Sequence, residues 1–76
     1  MNKIIEIINE IKPGFTVNES TNLFDEHILD SLAMISLVSE LDDEFDIEIS
    51  ARDIVPENFK TVADIFKLVQ NLEEDE

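Results

Sequence analysis

Apolar residues return every three or four positions along most of this chain, and the breaks between those runs outline its elements. Ile4, Ile5, Ile7, Ile8 and Ile11 form one wide stripe, with Glu6, Asn9 and Glu10 mainly opposite. That period predicts an amphipathic helix over about Asn2 to Lys12. Isoleucine is a mediocre helix former, so the prediction rests on spacing rather than propensity. Pro13-Gly14 ends the helix, because proline cannot continue it and glycine accepts a left-handed exit. Residues 13 to 30 then read as a long ordered loop. Ser20-Thr21-Asn22 can make local turns, and Phe15, Val17, Leu23, Phe24, Ile28 and Leu29 are apolar enough to lie over a core.

A second helix is predicted from Asp30-Ser31 to about Phe45 or Asp46. Either Asp30 or Ser31 can cap its first N–H groups, and a carboxylate there suits the helix dipole. Leu32, Ile35, Leu37, Val38, Leu41 and Phe45 read as its buried stripe, with Ala33, Ser36, Glu40, Asp43 and Glu44 outside and Met34 at the border. Ile47-Glu48-Ile49 alternates like a strand but has no second strand to pair with, so it reads as extended loop. Ser50-Ala51-Arg52-Asp53 has the S-x-x-D form that opens a short helix, which Pro56 limits to one or two turns. Thr61-Val62-Ala63-Asp64 repeats that cap, and Val62, Ile65, Phe66, Val69 and Leu72 give the last amphipathic helix. The expected architecture is all-α: three main helices plus one short helix around one core. The expectation is a single domain over residues 1–76, with an acidic, frayed tail at about 73–76.

Charge changes this picture. The 76 residues carry 19 acids against five Lys and Arg, a net charge of −14. Phosphate contact needs basic residues to release counterions, so DNA and RNA are poor partners, and so are anionic membranes. High charge alone would suggest disorder, but 43% of the residues are apolar and helically spaced, which favours a folded domain. The chain has no Cys, which removes disulfides, thiolate metal sites and thiol nucleophiles. Lys3 precedes only a short apolar stretch broken by Glu6, unlike a signal peptide, and no run approaches the roughly 20 apolar residues of a membrane span. A cytoplasmic monomer is expected.

Three constellations could carry chemistry. His27 lies among Asp25, Glu26 and Asp30, as a base or metal ligand would, but a lone His without Cys makes a poor transition-metal site, and nothing resembles a G-x-S-x-G elbow. His27 reads as a surface loop residue and autonomous catalysis is not expected. Asp42, Glu44, Asp46, Glu48, Ser50 and Asp53 fall at the spacing of an EF-hand loop, yet Ile47 occupies the position where its sharp turn needs Gly. Ser31 follows an acid at a helix start. It is either a capping serine or a modification site, since a helix N-terminus welcomes added phosphate. Ten acids and no Lys or Arg lie between Pro13 and Ala51. This is a solvated face, or one that steers basic partners.

Asp30-Ser31-Leu32, the helically spaced apolar residues after it, and the run Glu40 to Ile49 together resemble an acyl carrier protein. Asn22-Leu23-Phe24, Ile28-Leu29, Asp53-Ile54 and Lys60 to Ile65 extend the resemblance over nearly the whole chain. It implies a discrete carrier and not an enzyme. A separate phosphopantetheinyl transferase would move 4′-phosphopantetheine from coenzyme A onto Ser31 through a phosphodiester. The arm's thiol would hold acyl or aminoacyl groups as thioesters for loading ligases and downstream transferases with basic patches. The resemblance places docking at Asp30, Leu32, Met34, Glu40, Asp43 and Glu44. Ala33 and Ser36 stand where many fatty-acid carriers have acids, and His27 where Gly is common. The likeness is therefore closer to dedicated carriers of specialised pathways, including the D-alanyl carriers of teichoic-acid modification and stand-alone carriers of secondary metabolism. An armless interaction module of the same fold, with Ser31 only a cap, is the remaining alternative.

Repulsion among the ten clustered acids must oppose folding. Millimolar divalent cations or added salt should therefore raise the melting temperature of the unmodified protein. An unchanged melting temperature across a salt series would contradict this.

Overall fold

The computed structural model describes residues 2–74. The elements in order are α1 (Asn2–Ile11), α2 (Ser31–Phe45), a 3₁₀ turn (Ala51–Asp53), α3 (Pro56–Phe59) and α4 (Val62–Glu74), with no strand among the described residues. α1 packs on α2 and α4, α4 also packs on α2, and α3 lies against α4. Ile47 and Ile49 are buried in an extended segment. Among the described residues no polar or charged residue is buried, so the core owes its stability to apolar packing. Among the described residues no helix is long and apolar enough to cross a membrane. Residues 73 and 74 still belong to α4, and Asp75 and Glu76 of the expected tail lie outside the described residues.

The loop between α1 and α2 is ordered by its own polar residues. The Asn22 Oδ1 accepts from the N–H groups of Phe24 (3.2 Å) and Asp25 (3.0 Å), and Asn18 Oδ1 accepts from Ser20 N–H at 2.9 Å. These side chains mimic backbone turns. Leu23 N–H donates to Lys60 O at 2.8 Å and Ala63 N–H to Glu19 O at 3.3 Å, which ties the loop to the α3–α4 corner. Leu23, Ile28 and Leu29 are buried as expected, but Phe15 is exposed. His27 takes a left-handed φ of 58°, where histidine is tolerated better than most side chains.

α2 corrects the expected stripe. Its buried residues are Ala33, Leu37 and Leu41, spaced i, i+4, i+8, with Met34, Val38 and Phe45 packed partly against the core. Leu32 and Ile35, expected inside, are 78% and 68% exposed. Apolar residues occupy both sides of the first two turns, so hydrophobicity alone could not fix the phase. Packing of α2 against α1 and α4 decides which side turns inward. The start is fixed by Asp30, whose Oδ1 accepts from Ala33 N–H at 2.8 Å. At the other end Asp46 adopts φ 53° and its N–H reaches Asp42 O.

Sequence reasoning allowed one short helix that Pro56 would limit. The structure has two pieces instead. Ser50 and Asp53 hold the 3₁₀ turn, Ser50 Oγ donating to Asp53 Oδ2 at 2.9 Å and Ser50 N–H to the same atom at 3.3 Å. Pro56 then opens α3 rather than ending a helix, since its missing N–H is harmless in a first turn. The Thr61 cap of α4 forms as read: Thr61 Oγ1 accepts from Asp64 N–H at 3.2 Å and donates to Asp64 Oδ2 at 3.0 Å. Leu68 joins Val62, Ile65 and Val69 in the core, a position the sequence reading left out.

The phase of α2 can be tested by substitution. Ala33→Leu overpacks the core and should destabilise by about 1–3 kcal/mol, whereas Ile35→Ser should stay within about 0.5 kcal/mol in urea unfolding. The reverse ranking would restore the expected stripe. The Asp30 cap can be tested by pH. Its carboxyl is held below its ordinary 3.8 chiefly by the Ala33 N–H, with desolvation opposing next and Lys12 adding to the lowering. It therefore stabilises the fold above the unfolded pKa, and that contribution is lost as pH falls through the lower folded value. Asn caps without the charge, so wild type should lose stability relative to Asp30→Asn on going from about pH 6 to about pH 2. A constant difference would remove the charge from the cap.

Candidate functional site

Ser31 is the first residue of α2, and it is exposed. Asp30 just before it is extended, at φ −136° and ψ −173°, so the chain turns sharply into the helix and leaves the serine hydroxyl on the surface. On one side of Asp30, its Oδ1 accepts the Ala33 N–H. On the other, its Oδ2 lies 3.6 Å from Lys12 Nζ, at the end of α1.

An open apolar groove of about 620 Å³ runs beside the serine. Asp30 and Ser31 stand in its wall with Phe24 and Leu29 from the loop, Met34, Ile35 and Val38 from α2, and Ile54, Val55 and Pro56 from the segment entering α3. Ile54 and Val55 are among the exposed large apolar residues of the chain. Sequence reasoning missed the contributions of Ile35, Ile54 and Val55. A legible signal was the adjacent apolar pair just before Pro56, in a segment too short to bury it.

The residues expected to meet partners separate into three groups. Leu32 stands far out on the surface, and Leu32, Ser36, Ser39 and Asp43, at i, i+4, i+7 and i+11, share an outward face. Glu40 is exposed as well. Met34 is half-buried and lines the groove. Glu44 is exposed too but paired within the molecule: Lys3 Nζ sits 2.7 Å from its Oε1 and 3.9 Å from Glu6 Oε2. That pairing raises the Lys3 pKa above its usual 10.5, chiefly through the Glu44 hydrogen bond, and it clasps α1 to α2. The outward face of α2 is thus apolar at its front, with Leu32 and Ile35, and acidic further back.

The other constellations are occupied by structure. Asp42 Oδ1 accepts from Ile49 N–H at 3.0 Å, and Asp53 is held by Ser50. Ile47, at the position where a calcium loop needs Gly, is only 8% exposed. His27 is exposed and does not line the groove.

What this corner can accept follows from its parts. An anionic group on Ser31 would meet the N-terminal N–H groups and dipole of α2, and a long, mainly neutral chain attached to it would find an apolar surface beside its root. These features fit a 4′-phosphopantetheine arm.

The comparisons with known proteins agree with this geometry. Residues 2–69 match the family described as the phosphopantetheine attachment site. The D-alanyl carrier proteins of Bacillus cereus (strain B4264) and Bacillus anthracis (strain CDC 684 / NRRL 3495) are each 31% identical over 72 residues, 92% of this chain and 91% of theirs. A chain in the crystal structure of an FAD-dependent dehydrogenase superposes with a TM-score of 0.81 at 31% identity, over 88% of this chain and 99% of that one. The match spans nearly the whole chain, and all of its main elements fall within it or overlap it. The chain therefore belongs to the acyl carrier protein family, whose members bear a covalent 4′-phosphopantetheine and act as carriers rather than enzymes.

Proposed function

We propose that Ser31 carries the 4′-phosphopantetheine and that the chain shuttles acyl or aminoacyl groups between partner enzymes, as a cytoplasmic monomer. The single observation that supports this most is the exposed Ser31 hydroxyl, held at the capped start of α2 and at the edge of an apolar groove. The arm supplies the thiol that this Cys-free chain lacks, and its cargo rides there as a thioester. The chain's own residues do the rest. Asp30 fixes the turn that presents the serine, and Phe24, Met34, Val38, Ile54 and Val55 offer the arm a surface to rest on. Tethering raises the cargo's effective concentration at each partner without new contacts.

Partners dock on the outward face of α2. Leu32 and Ile35 at its front would enter an apolar recess, while Asp43 and Glu40 steer basic groups from further back. Glu44, committed to Lys3, contributes less than the sequence suggested. Weak, salt-sensitive docking suits a carrier that must leave as readily as it arrives.

A second reading concerns the cargo. Near-full-length identity of 31% to D-alanyl carrier proteins favours D-alanine as the aminoacyl group. Thioester formation with D-alanine and a D-alanine-activating ligase, compared with acyl ligases, separates the two cargo classes.

Intact-mass spectrometry after incubation with coenzyme A and a broad-specificity phosphopantetheinyl transferase tests the reading. Wild type should gain one phosphopantetheine and Ser31→Ala none. A folded wild type that gains nothing with two different transferases would point to an armless interaction module. In the same assay Asp43→Lys and Glu40→Lys should slow the transfer at low salt and converge on wild type at high salt. Ile35→Ser should slow it roughly tenfold at both. Normal rates for all three would move docking off this face.

A further inference from the structure

We infer that Lys12 is the resident cation of the attachment corner, shared between Asp30 and the phosphodiester once that group stands on Ser31. The inference rests on Ser31 as the point of attachment. Lys12 is placed firmly: its N–H donates to Ile8 O at 2.8 Å, continuing the α1 pattern one residue past the helix, and its side chain is 35% exposed. Its Nζ lies 3.6 Å from Asp30 Oδ2, the oxygen left over after Oδ1 takes the Ala33 N–H. Among the described residues the ion pair of Asp30 is with Lys12. Lys3, the basic residue of α1, is spent on Glu44 and Glu6.

Attachment sharpens this arrangement. A phosphodiester is ionised throughout the physiological range, so it sets a second fixed negative charge on the residue next to Asp30. Neighbouring Cα atoms are roughly 3.8 Å apart, so the arm is rooted one residue from the Asp30 carboxylate. An ammonium on a flexible four-carbon stem that already reaches that carboxylate can turn to face both anions. Before attachment the pair is solvent-exposed and contributes little. After attachment one cation offsets two anions and holds the root of the arm at the junction of α1 and α2. The groove that receives the rest of the arm is lined otherwise by apolar residues, so the cation acts at the root alone.

The experiment melts the unmodified and the phosphopantetheinylated forms of wild type, Lys12→Gln and Lys12→Arg, with each modified form verified by intact mass. At low salt Lys12→Gln should lower the melting temperature of the modified form at least twice as far as that of the unmodified form. Lys12→Arg should restore most of the loss, and about 0.5 M salt should close the gap. The phosphodiester ³¹P resonance of Lys12→Gln should be displaced from wild type at low salt and coincide with it at high salt. Equal losses in both forms with an unmoved ³¹P resonance would overturn the inference, leaving Lys12 a partner of Asp30 alone while Ser31 keeps its group. If wild type gains no mass at Ser31, both readings fall together.

Discussion

The Ala33 N–H donates to the Asp30 carboxylate over 2.8 Å, and through that bond the start of α2 is set. A helix that starts at Ser31 turns Ala33, Leu37 and Leu41 inward. The same register leaves Ser31, Leu32 and Ile35 in solvent and sets Met34 and Val38 along the groove. The cap thus fixes where the central helix begins and leaves Ser31 exposed at its first position. It is strengthened by charge: the carboxylate meets the helix dipole, and its second oxygen meets Lys12.

The rest of the molecule serves to hold that helix against its own charge. With a net charge of −14, the folded state works against self-repulsion, and a core without buried polar groups gives it simple, strong packing. Two of the five Lys and Arg join elements. Lys3 joins α1 to α2 through Glu44, and Lys12 joins the end of α1 to the start of α2 through Asp30. Acids that have no such partner face solvent on the back half of α2, where they can steer basic surfaces.

Much of this was legible in the sequence. The three long helices and their caps at Asp30 and Thr61 follow from periodicity and cap chemistry, and the family suggested by the resemblance matches over residues 2–69. The phase of α2 was not legible, because Leu32 and Ile35 are as apolar as the residues that are buried and only the neighbouring helices choose between the faces. Met34 and Glu44 were expected to face partners, yet one lines a groove made with distant Ile54 and Val55 and the other is claimed by Lys3. Such contacts join elements far apart in the chain, and local patterns carry no trace of them. Pro56 misled for the opposite reason: the residue that cannot continue a helix is well suited to begin one.

The central claim is that α2 presents Ser31 at the edge of a groove where its arm rests. The most direct measurement is a methyl NMR comparison of the unmodified and phosphopantetheinylated protein. The account predicts shifts at Leu29, Met34, Ile35, Val38, Ile54 and Val55, with the core methyls of Ile4, Ile8 and Leu41 unchanged. Groove methyls that stay in place while the arm is attached, or shifts confined to the core, would contradict it.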